Sequence, residues 1–87
     1  MPRISCFYGI TITMHWEESH HGLPHFHARY GEHRASFDLA GAIIVGVLPK
    51  RQLRLVQAWA ELHAEELRAD WELAINEYPL NPIDPLP

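Results

Sequence analysis

A single cysteine, Cys6, is too little for an internal disulfide or a cysteine-cluster zinc site. No apolar run can cross a membrane: the longest, Leu39 to Leu48, is interrupted by Gly41 and Gly46 and is about half the roughly 20 residues a spanning helix needs. The first residues, Met1 to Cys6, lack the apolar segment and small-residue cleavage site of a secretory leader, so the expected address is cytoplasmic, with no membrane partner. Basic residues are scarce. Seven Lys and Arg face eleven Asp and Glu, a formal net charge of −4 that argues against a dedicated nucleic-acid wrapper. Apolar residues are not scarce: at 47% of 87 residues they exclude a disordered chain and supply one small core, not two.

Charge is unevenly placed. Residues 1–54 carry six basic and four acidic groups; residues 55–87 carry one basic and seven acidic groups. Six of the seven histidines also lie in the first part. One face could therefore meet phosphate although the whole chain is acidic; alternatively, the acidic residues simply cover the wet side of a helix.

The first half reads as short strands. Ile4, Cys6 and Tyr8 alternate with Arg3, Ser5 and Phe7, and Ile10 to Met14 continues with apolar and threonine residues at period two. Gly9 between them is a turn or a bulge, and Glu17 to Pro24 is a polar loop. His25 to Tyr30 and His33 to Leu39 flank Gly31-Glu32, a Gly-X hairpin of the type II′ kind. Gly41 to Leu48 supplies a last β-branched strand.

Pro49 changes the regime. Proline suits a first helical turn, and from Lys50 to Tyr78 neither Gly nor Pro occurs. Leu53, Val56, Ala60, His63, Leu67, Trp71, Ala74 and Ile75 recur at three- and four-residue steps. One unbroken helix here would be about 40 Å long, against strands of about 17–24 Å. A two-segment arm, broken near Leu62 to Glu65, is expected. The tail repeats Pro79-Leu80-Asn81, Pro82-Ile83-Asp84, Pro85-Leu86-Pro87, which in a polyproline II helix aligns Leu80, Ile83 and Leu86 on one edge, suited to docking on the domain or a partner. The expected fold is a single α+β domain over residues 1–87: an antiparallel sheet of four or five strands (1–48), a helical arm (49–78) and an extended Pro-rich tail (79–87).

Chemistry concentrates between His15 and Arg34. On a strand, His25, His27 and Arg29 leave the same face, with Phe26, Ala28 and Tyr30 on the other. Imidazoles that titrate near neutrality and a guanidinium that clamps phosphate are the groups an RNA-cleaving site uses. On this reading the catalytic candidates are His25, His27, Arg29 and Tyr30. Arg34 and, at the helix entrance, Lys50, Arg51 and Arg54 are anion- or nucleic-acid-binding candidates. His15, His25 and His27 offer an alternative, a zinc or nickel site, since an alternating pair is a sound half-site. Equally, the rings serve only local hydrogen bonds. No cofactor is otherwise implied.

Ile4 to Ile10, Pro24-His25-Phe26-His27-Ala28-Arg29-Tyr30-Gly31, Leu48-Pro49-Lys50-Arg51, Trp59 to His63, Glu65-Glu66-Leu67 and Trp71 resemble the bacterial domain-of-unknown-function 4160 (DUF4160) family over nearly the whole chain. The resemblance implies a small protein from a two-gene cassette of toxin–antitoxin type, with the neighbouring-gene product as cognate partner and no catalytic residues to transfer. His20 and His21 are not part of that family pattern. Three functions follow as expectations: a toxin-like component acting on RNA or translation; a non-enzymatic interaction or regulatory protein binding a partner or itself as a homodimer; and a small metal-binding domain.

Overall fold

The computed structural model describes residues 2–16 and 22–87. Five strands, β1 (Arg3–Phe7), β2 (Ile10–Thr13), β3 (His25–Tyr30), β4 (His33–Asp38) and β5 (Ile43–Val47), are followed by two helices, α1 (Lys50–Leu62) and α2 (Ala64–Ile75). The strands pair antiparallel in chain order, β1-β2-β3-β4-β5. This is the α+β architecture that the period-two half and the glycine-free helical half predict.

The hairpins turn tightly. Phe7 pairs with Ile10, leaving Tyr8 and Gly9 as a two-residue loop, both at positive φ (49° and 78°), as a type I′ turn requires. Tyrosine is an uncommon occupant of that conformation, and its hydroxyl donates to Pro87 O at 2.8 Å. Gly31 has φ 57° and Glu32 does not share it, the pattern of a Gly-X type II′ turn.

Alternation sorts the sheet into two faces. Ile10, Ile12, Phe26, Ala28, Ala35 and Phe37 are buried on one. There they meet Val56, Trp59 and Ala60 of α1 and Leu67, Trp71 and Ala74 of α2 in one core. Trp59 is its centre, with its ring centroid 5.5 Å from Phe7 and 5.7 Å from Phe26.

The helical arm breaks at His63, whose φ −116° and ψ 29° leave the helical range. His63 N–H closes α1 by donating to Trp59 O, and His63 O opens α2 by accepting from Leu67 N–H. Glu66 Oε1 lies 2.6 Å from His63 Nδ1 and fixes the corner, while Glu65 and Glu66 suit the positive end of α2. The molecule is 33 Å along its longest axis, so an unbroken helix of about 40 Å would overrun it.

A Schellman arrangement ends α2. Tyr78 N–H donates to Leu73 O and Glu77 N–H to Ala74 O, with Glu77 at φ 58°. The proline triplets then run back along β1 without regular secondary structure. Ile83 is buried and its N–H donates to Ile4 O; Trp59 Nε1–H donates to Asp84 O; Leu80 and Leu86 pack on the core. The apolar edge expected of the triplets is the side that docks. Asp70, 1% exposed, receives Asn81 N–H on Oδ1, while its Oδ2 has no partner among the described residues. Burial raises its carboxyl above the ordinary value; the Asn81 N–H pulls it down and the charge of Glu66 raises it further.

The two sheet edges differ. The tail lies along β1, whereas no described strand or tail segment pairs with the outer side of β5, where Ile43, Val45 and Val47 are exposed.

Candidate functional site

The face of the sheet away from the core is polar across β2, β3 and β4, and cross-strand register assembles it. Thr13 of β2 lies opposite Arg3 of β1 and His27 of β3; His27 lies opposite Ser36 of β4, and Ser36 opposite Val45 of β5. The next row runs Cys6, Thr11, Arg29, Arg34 and Val47. The two rows enclose a cleft of about 590 Å³ walled by Arg3, Thr11, Thr13, His27, Arg29 and Arg34, with Ser36 and Val45 toward β5.

Arg29 and Arg34 are direct cross-strand partners. Like charges placed opposite one another destabilise a sheet. Among the described residues none of Arg3, Arg29 and Arg34 has a carboxylate within ion-pair distance. Three guanidiniums, an imidazole and three hydroxyls on one concave surface are the complement of an anion with several oxygens. Gly46 lets β5 approach β4 closely beside the cleft: a Cβ there would run into Arg34 O, and its φ is 96°.

Of the residues the sequence singles out, His27, Arg29 and Arg34 enter this cleft. His25 does not. It shares the strand parity but is fully buried, its ring 5.2 Å from Trp71 of α2 and its Nδ1–H donating to Leu23 O at 2.7 Å. The expected alignment of His25, His27 and Arg29 on one water-facing side therefore holds for the last two only, with the Trp71 ring packed against His25. Tyr30 points to the opposite face, near Gly9. Lys50, Arg51 and Arg54 are exposed on the first turns of α1, outside the cleft lining. Arg3, Thr11, Thr13 and Ser36 were not distinguishable in the sequence as site residues; register alone brings them in.

The rings of His15, His25 and His27 do gather. His15 stacks on His27 at 5.6 Å and His25 meets His27 edge-on at 5.1 Å. His27 Nδ1 is 3.2 Å from Ser36 Oγ. Among the described residues no group of three or more His, Cys, Asp or Glu side chains is arranged to hold a metal ion. His20 and His21 lie outside the described residues.

The family model described as Domain of unknown function (DUF4160) matches residues 9–72, from β2 into α2, and includes every cleft-lining residue but Arg3. The chain belongs to this family. No curated protein and no solved structure matches it. Within this DUF4160 chain, no helix among the described residues is long and apolar enough to cross a membrane.

Proposed function

We propose that the open sheet face binds the phosphodiester backbone of RNA, and that this DUF4160 protein is the toxin-like, RNA- or translation-directed component of a bacterial two-gene module of toxin–antitoxin type, acting in the cytoplasm. The observation that supports it is the Arg29–Arg34 pair, two cations held in register and joined by Arg3 and His27 around one cleft. A bound phosphate converts their mutual repulsion into attraction. Binding is better supported than cleavage. Strand scission needs one group to take the 2′-hydroxyl proton and another to protonate the leaving oxygen. Among the described cleft residues His27 is the one imidazole, so a second proton-transfer group of that kind is not at hand.

The test is fluorescence anisotropy with a labelled RNA oligonucleotide across a salt series. For single strands each neutralised phosphate contributes about 0.7 to the slope of log affinity against log salt. Replacing both arginines, Arg29→Ala/Arg34→Ala, is expected to lower that slope by about 1.4 and to relieve any growth arrest caused by expressing the chain alone. An unchanged slope would remove the reading.

A second reading, an interaction protein for the neighbouring-gene product, draws on the bare edge of β5 with Ile43, Val45 and Val47 exposed. Strand addition to such an edge is a common mode of partner capture. Co-expression and size-exclusion chromatography separate the two, since Val45→Lys would abolish a complex formed at β5.

A further inference from the structure

A second, smaller cleft of about 270 Å³ lies where the end of β2 meets the end of α2. Trp16 and Tyr78 stand on its rim, 42% and 63% exposed, with His15, Glu77 and Leu80 in its lining. Two exposed aromatics around one small opening are unusual where the same chain buries Trp59 and Phe26 completely. The two clefts are neighbours: His15 of the one stacks on His27 of the other at 5.6 Å.

Their chemistry is opposite. Among the described residues the sheet cleft presents three guanidiniums, while the aromatic cleft presents none and carries the Glu77 carboxylate, at φ 58° in the turn that ends α2. A carboxylate repels phosphate but accepts N–H donors from the edge of a nucleobase, and aromatic rings offer that base a stacking surface. A cationic groove for backbone beside aromatic platforms for bases is how single strands are held without sequence reading. Thr11 adds a hydroxyl able to bond the ribose 2′-hydroxyl.

We infer that the Trp16–Tyr78 cleft is a nucleobase subsite, so that the ligand is single-stranded RNA with phosphate on the sheet and an unstacked base beside it. The inference rests on the phosphate reading of the sheet face and names its substrate class.

Anisotropy with the full chain tests it, comparing a labelled eight-nucleotide RNA, an abasic strand of equal length and the corresponding DNA. Loss of one stacked base costs about 5- to 150-fold in affinity, so wild type should bind the RNA at least fivefold tighter than the abasic strand, and tighter than the DNA, which lacks the 2′-hydroxyls. Trp16→Ala and Tyr78→Ala should each lower RNA affinity and leave abasic affinity unchanged, whereas Arg29→Ala/Arg34→Ala should weaken both. Trp16→Phe should retain most of the RNA affinity. Equal binding of RNA and abasic strand by wild type would overturn the base subsite and leave the phosphate reading standing. DNA bound as tightly as RNA would overturn the assignment to RNA. No binding to any strand would remove both readings, and the wild-type comparisons need no variant to fold.

Discussion

The two faces of the sheet are made from the same strands by alternate residues, yet they answer to different physics. The inner face is closed by two helices and a docked tail around Trp59 and carries the stability. The outer face places like charges side by side on Arg29 and Arg34, an arrangement a stability-driven sequence avoids. Residues that weaken a fold and assemble a cleft are better explained by what the cleft receives.

Substitutions can break that division, and the deepest should act on the inner face. Trp59→Ala removes the core's largest fully buried side chain and the donor to Asp84 O, and is expected to cost about 3–5 kcal/mol, read by urea denaturation. Ile83→Ala should cost about 2–4 kcal/mol although it lies in a segment without secondary structure; a loss under 0.5 kcal/mol would mean that the tail does not stay docked in solution. Asp70→Asn should act in the other direction. A carboxyl raised above its ordinary value of 3.8 contributes stability below that pH, and the contribution is lost as pH rises through the raised value. The variant should therefore melt higher than wild type at pH 7, by about 4–8 °C for each kcal/mol recovered. The difference should shrink toward pH 4, while a pH-independent difference would exclude titration of Asp70 as its cause. The smallest effect on stability belongs to the outer face: Arg29→Ala should leave the melting temperature unchanged or slightly raised while weakening anion binding. A large destabilisation there would erase the contrast between the faces.

Much of this was legible in the amino-acid order. Period-two alternation marked the strands, Gly31-Glu32 marked its hairpin, and the mismatch between helix length and sheet width located the break within the interval containing His63. The Tyr8-Gly9 turn was ambiguous because its first position lacks the Asn or Asp that usually signals positive φ. The cleft was legible only in part. His27 and Arg29 share a face because they are two residues apart, but Arg3, Thr13 and Ser36 join them through hydrogen-bonded register across four strands, which no local pattern encodes. His25 left the group for a similar reason, since the Trp71 ring that covers it comes from 46 positions later in the chain.

The docked tail also decides how molecules of this protein can polymerise. Prolines at 79, 82, 85 and 87 offer no amide hydrogen, so the strip shielding β1 is a poor template for another chain. Among the described strands, sheet growth then has one live end, at β5. Two copies joined there would consume both live ends at once, and the assembly would terminate as a closed pair instead of extending into a fibre.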